Sequence, residues 1–247
     1  MAELLYYQDA YLREFDARIV AVDGHRVVLD RTAFYPGGGG QPHDTGWLVV
    51  DGQRLPVRQV RRERSDGQVW HTLEVADGAG PALAVGQPVR GELDWERRYL
   101  LMRTHTAMHV LCGVVWRDYG AQVTGGNMEP GRGRMDFEFA GLHRELVEEI
   151  QARCNAEIRA AREVRTRILP REEAFQIPDL IRTKINLLPP QIQEVRVVEI
   201  VGLDLQADGG THVHNTREVG PMRVVDYRSK GKINKRIYVE IGEGEDA

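Results

Sequence analysis

Between residues 15 and 93 the chain alternates apolar and polar positions in short runs, and three Asp-Gly pairs, at 23–24, 51–52 and 66–67, separate those runs. Asp-Gly readily adopts the left-handed backbone of a tight hairpin turn, so the alternation and the pairs together specify antiparallel strands joined locally. The runs lie at 18–22, 27–29, 47–50, 57–60 and 69–73, and a last one falls near 89–93 after a Gly-, Ala- and Pro-rich stretch from 78 to 88. No helical period intrudes among them. So many short strands suit a small closed barrel or a strongly curled sheet. A barrel domain is therefore expected over residues 1–93.

The pattern changes near Trp95. From there to Tyr119, Leu100, Leu101, Ala107, Met108, Leu111, Val114 and Val115 recur at helical spacing, and Gly120 supplies a left-handed cap. His105 and His109 are four residues apart and share one face at the edge of this apolar stripe. Two neutral imidazoles so placed suit a metal ion. They equally suit a pair of hydrogen-bonded core histidines. One chemistry is excluded: a zinc-protease helix carries Glu directly after its first His, and that position is Thr106 here.

Beyond the helix, strand-like segments at 121–124 and 134–139 form an expected hairpin. A helix follows over 142–162, with Leu146, Ile150, Cys154 and Ile158 as its packing stripe. Further strands are expected at 164–169, 195–201, 222–227 and 237–241. Helices and strands do not alternate regularly, so the fold class is α+β and not a doubly wound sheet. A second domain over 94–247 is expected to pack long helices on a mostly antiparallel sheet.

Two glycine-rich motifs stand out. In residues 208–215, Asp208 and His212 flank Gly209-Gly210-Thr211 and offer an oxygen and a nitrogen that can complete four-coordination with His105 and His109. The same residues also suit an ordinary turn in which Asp208 caps backbone N–H groups and His212 faces solvent. In residues 32–46, four successive glycines follow Phe34, Tyr35 and Pro36. No Gly-Lys-Ser/Thr ending or following helix makes this a phosphate-binding loop. The bulky residues favour an ordered loop packed against another domain over a flexible linker.

Composition narrows the setting. No apolar run approaches the roughly 18 residues needed to span a bilayer, and Met1-Ala2-Glu3 opens without a basic, apolar leader. A cytoplasmic protein is expected, with Cys112 and Cys154 reduced inside helices and no disulfide framework. A formal charge of −4 argues against a whole-surface nucleic-acid binder but leaves room for local basic patches.

The loop Tyr35-Pro36-Gly37-Gly38-Gly39-Gly40-Gln41-Pro42 with Asp44-Thr45-Gly46, the helix segment His105-Thr106-Ala107-Met108-His109, and Gly209-Gly210-Thr211-His212-Val213 with Asn215-Thr216 and Val219-Gly220 beyond resemble the editing domains of alanyl-tRNA synthetases. The free-standing relatives of those domains, the AlaX-type trans-editing proteins, are the closer match. The resemblance covers nearly the whole chain, and the barrel makes it similar to the longer AlaX form. It implies hydrolysis, in trans, of the ester joining a wrong amino acid to alanine tRNA, chiefly serine and in some members glycine. It also implies one zinc ion. Carried onto this sequence, the zinc ligands are His105, His109, Asp208 and His212. The family usually has Cys where Asp208 stands, and a carboxylate is a harder ligand that can weaken zinc or admit another divalent ion. Cys112 and His214 lie near enough in sequence to act as substitutes.

The chemistry asks for further groups. Alanine enters any pocket that holds serine, so the pocket must contact the seryl hydroxyl. Thr124, with Gln122 on the same strand face, is the candidate for that contact. An ester needs an activated water and a stabilised oxyanion, and no residue stands out as a protein general base. Phosphate contacts to tRNA are expected from Lys230, Lys232, Lys235 and Arg236, from Arg61, Arg62 and Arg64 in the barrel, and from Arg182 and Lys184 at the pocket entry. No membrane or stable protein partner is inferred. Two other functions remain open: a catalytically silent tRNA-binding module whose metal site has decayed at Asp208, and a metallohydrolase of small esters or peptides.

Overall fold

The computed structural model describes residues 2–75, 80–178, 180 and 193–242. The chain is α+β and divides into two compact units, residues 1–100 and 101–247. The division falls inside the long helix, a few residues after its start.

The first unit is a closed barrel of β1 (Glu14–Asp23), β2 (Arg26–Leu29), β3 (Gly46–Val50), β4 (Gln53–Arg62), β5 (Val69–Leu73) and β6 (Pro88–Leu93). Strand order around it is β1-β2-β5-β4-β3-β6, antiparallel throughout. Each Asp-Gly pair lies between strands that are neighbours in the barrel. At the β3–β4 turn, Asp51 and Gly52 have φ of 49° and 78°, both on the left-handed side that such a two-residue hairpin requires. Register shifts between Ile19 and Ala21 in β1 and between Val57 and Gln59 in β4 add the local bend that lets six strands close. Phe15, Ile19, Leu29, Phe34, Leu48, Val57 and Val69 fill the interior.

The glycine-rich loop is part of that core. Ala33 and Phe34 are fully buried, and Phe34 meets Phe15 and the fully buried His71 edge-on. His71 is paired at both ring nitrogens: Nδ1–H donates to the Val27 carbonyl, and Nε2 accepts from the Thr32 hydroxyl at 2.9 Å. Burial pushes its pKa down to about 4. Asp44 ties the far end of the loop. Its carboxylate accepts the Tyr35 N–H at 2.6 Å and both nitrogens of a fork from Arg98, which also donates to the carbonyls of Ala10 and Ala33. Arg98 and Asp44 are 0% and 1% exposed, so this is a wholly buried ion pair.

The second unit takes most of α1 (Trp95–Tyr119), then β7 (Val123–Glu129), β8 (Arg132–Glu138), α2 (Arg144–Arg159), β9 (Val164–Pro170), β10 (Glu194–Ile200), β11 (Asp204–Ala207), β12 (Met222–Ser229) and β13 (Asn234–Ile241). Among the described residues these form two antiparallel sheets, with orders β12-β13-β8-β7 and β9-β10-β11. From Leu101 to Val115 every residue of α1 is buried, so the histidines are enclosed and not, as the stripe suggested, at the rim of a one-sided core. The β7–β8 hairpin is anchored to α1, because the Thr104 hydroxyl accepts the Gly131 N–H and Gly133 leaves room for Met108. A Cβ at Gly133 would sit 2.2 Å from Met108 Sδ. On α2 the buried stripe is Val147, Ile150, Cys154 and Ile158, one residue off the expected start at Leu146. His143 caps the helix by accepting the Leu146 N–H. Among the described residues, no helix is long and apolar enough to cross a membrane.

Candidate metal centre

The β10–β11 hairpin and the turn after it bring an acidic residue and a third histidine to the face of α1 that carries His105 and His109. Gly113 makes the approach possible: a Cβ there would lie 2.9 Å from Leu203 Cγ and 3.1 Å from the Leu203 carbonyl oxygen. Past β11 the chain turns at Asp208, whose carboxylate accepts the Gly210 N–H at 2.6 Å. Arg196, buried on β10, fixes that turn from beneath. Its backbone carbonyl accepts the Asp208 N–H, and its Nη1 donates to the carbonyls of Asp208 and Gly210 at 3.1 and 2.7 Å.

The result is a compact group of donors. His105 Nε2 and His109 Nε2 lie 3.5 and 3.8 Å from Asp208 Oδ2, and His212 Nε2 lies 3.2 Å from Asp208 Oδ1. The His105 and His212 rings stack at 4.3 Å, while His109 stands edge-on to both. All four ligand atoms fall within 4.8 Å of one another. Ligands about 2.0–2.1 Å from a tetrahedral zinc ion are separated from each other by roughly 3.3 Å, so three nitrogens and one carboxylate at these spacings fit such an ion. His105, His109 and His212 are 6%, 5% and 3% exposed, which supplies the dry surroundings of a tight site.

Protonation follows the same geometry. Burial drives His105 down to about 4 and His212 well below its usual value, so both are neutral imidazoles at neutral pH. Burial opposes charge on His109 as well, but hydrogen bonds and charge from Asp204 and Asp208 outweigh it and raise its pKa. Burial would lift Asp208, yet the surrounding histidines hold it far below the usual carboxylate range.

Comparison with known proteins places this arrangement. Residues 6–97 match the family described as tRNA synthetases class II (A), and residues 195–238 match the threonyl and alanyl tRNA synthetase second additional domain. An alanyl-tRNA editing protein AlaX-M of Saccharolobus solfataricus is 40% identical over 242 residues, covering 98% of this chain and 99% of its own. The chain belongs to the AlaX-M family of alanyl-tRNA editing proteins. A second AlaX-M, from Methanosarcina acetivorans, is 40% identical over 240 residues, with 96% and 98% coverage. The alanine–tRNA ligase of Pyrococcus furiosus is 37% identical over 224 residues, which span 90% of this chain but 24% of the ligase. This family member thus aligns with the AlaX-M proteins end to end and with a quarter of the ligase.

The remaining candidates are dispersed. Cys112 is buried in α1 and His214 is exposed, and neither belongs to the donor group found among the described residues. Thr124 and Gln122 are exposed, and the Thr124 hydroxyl donates to Asn234 Oδ1 at 3.1 Å. Thr124 sits where the β7–β8 register shifts. Lys235 is only 6% exposed, and its ammonium caps the 229–234 turn through Ser229 Oγ and the carbonyls of Gly231 and Lys232. Arg236 makes a two-pronged pair with Asp136 at 2.6 and 2.7 Å. Lys230 and Lys232 are exposed, as are Arg61, Arg62 and Arg64 on the barrel. Arg182 and Lys184 lie outside the described residues.

Sequence reasoning missed Asp204, Gln206, Thr106 and Arg196 as contributors. Asp204 and Gln206 fall on alternate positions, so a strand over 204–207 would have put both on one face, with Asp208 just past its end.

Proposed function

We propose that this protein hydrolyses mischarged alanine tRNA in trans, chiefly seryl-tRNA(Ala) and also glycyl-tRNA(Ala), with one zinc ion held by His105, His109, Asp208 and His212. The observation that carries the reading is the buried group of three imidazole nitrogens around one carboxylate in a chain of the AlaX-M family. Zinc bound there would supply a Lewis acid to orient the aminoacyl group or polarise a carbonyl or water. The replacement of Cys by Asp keeps a negatively charged donor in place, so nothing here favours a decayed, silent tRNA-binding module.

The chain's own residues take the other tasks. Because the substrate to be spared is smaller than the one to be cleared, the pocket works through the seryl hydroxyl, and Thr124 on β7 with Gln122 just before it are the residues we assign to that contact. Both are exposed in the free protein, so the bias requires the bound aminoacyl end to cover them; a polar group then left unpaired costs about 1–3 kcal/mol. That is a five- to 150-fold bias, at about 1.4 kcal/mol per factor of ten. Lys230 and Lys232, with exposed side chains, are the foremost candidates for tRNA phosphates. Lys235 and Arg236 shape the same turn and strand, and Arg182 and Lys184 complete the proposed basic set. The barrel, residues 1–93, serves recognition, and residues 94–247 carry the chemistry. A tRNA substrate makes the cytoplasm the site of action.

The test is deacylation of seryl-, glycyl- and alanyl-tRNA(Ala) by the purified protein. Fast release of serine, release of glycine and sparing of alanine are expected. Equal release of serine and alanine would reject the proposed discrimination, and no release of either would reject the hydrolase.

A further inference from the structure

Three imidazoles can present the same nitrogen to one ion only if each is held in the right tautomer, and for two of them the structure shows what holds it. His109 Nδ1 lies 3.0 Å from Asp204 Oδ2. A carboxylate oxygen accepts, so Nδ1 carries a proton and Nε2, facing Asp208, is the nitrogen left to give up its own and bind the ion. Asp204 is 3% exposed and is itself oriented by Gln206, whose Nε2 donates to the same Oδ2 at 2.7 Å. The close packing of Leu203 and Asp204 on Gly113, one turn beyond His109 on α1, sets the position of that carboxylate.

His212 has a different support with the same consequence. The Thr106 hydroxyl donates to the Met102 carbonyl at 2.9 Å, so its oxygen can act only as an acceptor toward other groups. It accepts the Val213 N–H at 3.2 Å and faces His212 Nδ1 at 3.4 Å. His212 Nε2 hydrogen-bonds Asp208 Oδ1 at 3.2 Å; once an ion takes Nε2, the ring proton is directed to Nδ1, where the Thr106 oxygen is placed to accept it. Thr106 occupies the position where a protease helix would carry its general base, and here it holds a ligand from behind.

We propose that Asp204 and Thr106 are positioning residues of the metal centre, fixing His109 and His212 as Nδ1–H tautomers so that both offer Nε2 to the ion, with Asp204 the stronger support because its bond is charge-assisted and shorter. This rests on the metal reading above and adds the residues that prepare the site.

The experiment measures zinc affinity of the full-length protein by competition with a chromophoric chelator, together with far-UV circular dichroism. Asp204→Ala is expected to weaken zinc by about 10- to 100-fold with its secondary structure intact, the usual effect of removing a carboxylate behind a ligating histidine. Asp204→Asn keeps an acceptor oxygen and should fall between parent and Ala. Thr106→Val should weaken zinc less than Asp204→Ala, and Thr106→Ser should restore parental affinity. Because Asp204→Ala removes a buried group, nitrogen-15 spectra of the histidine rings in the unaltered zinc-loaded protein provide a second reading: protons on Nδ1 of His109 and His212, with Nε2 bound. Parental affinity in folded Asp204→Ala, or ring spectra showing Nδ1 bound, would overturn the proposal. A parent protein that takes up no zinc would overturn the metal reading itself, a result distinguishable from either.

Discussion

Removing Arg98 should destabilise the barrel unit far more than removing any surface arginine. The guanidinium is wholly buried, pairs with an equally buried Asp44 carboxylate, and satisfies the carbonyls of Ala10 and Ala33. In Arg98→Met the hydrophobic bulk remains but the Asp44 charge is left without its partner. Breaking one side of a buried pair costs about 3–5 kcal/mol, against a total stability of about 5–15 kcal/mol for an ordinary domain. Adding Asp44→Asn removes the orphaned charge while keeping an oxygen for the Tyr35 N–H. What then remains is two carbonyls without their donor, at roughly 1 kcal/mol each. The double variant should therefore be more stable than Arg98→Met alone, by about 1–3 kcal/mol. Urea unfolding followed by tryptophan emission reads this well, because Trp47, Trp70 and Trp95 lie within residues 1–100. The reasoning fails if Arg98→Met loses less than about 1 kcal/mol, or if the double variant is the less stable of the two.

Other outcomes follow from the same geometry. His71 has a folded pKa of about 4 against an ordinary 6.5, so the unfolded chain takes up its proton first, and stability should fall by up to about 3 kcal/mol as pH drops from 6.5 to 4. His71→Gln should lose that part of the acid sensitivity, and identical pH profiles for parent and variant would count against it. Asp208→Cys should retain or tighten zinc, because thiolate is the softer donor zinc favours; a folded variant devoid of metal would show that Asp208 is not a ligand. Thr124→Val should slow clearance of seryl-tRNA(Ala) with zinc content unchanged, whereas parental kinetics would turn attention to Gln122.

Much of the site was legible because its pieces are local patterns. The His105–His109 spacing and the 208–212 motif each read from a few adjacent residues, and these are the four side chains that converge on one point. Their supports were not legible. Asp204 gains its meaning from β11, a strand of four residues too short to announce itself by alternation, and from the space left by Gly113. The cations fared similarly: that Arg236 engages Asp136, a hundred positions away, and that Lys235 caps its own turn follow from strand pairing and not from charge clustering. On α1 the apolar stripe understated burial, because Thr104 and Thr106 are polar in sequence yet bonded to neighbouring backbone in the core. In the barrel, turn chemistry and alternation carried the fold, while the Arg98–Asp44 pair that anchors the glycine-rich loop joins residues 54 positions apart.

The most direct measurement takes metal content and turnover on the same samples: the parent as purified, the parent stripped by chelator and then reloaded with zinc, and the His105→Ala/His109→Ala variant. One zinc per chain is expected in the parent, with seryl-tRNA(Ala) hydrolysis lost on stripping, regained on reloading, and absent with the metal from the folded double variant. Stripped protein that clears seryl-tRNA(Ala) at the parental rate, or a double variant that keeps a full equivalent of zinc, would contradict a metal-dependent hydrolase built on these four residues.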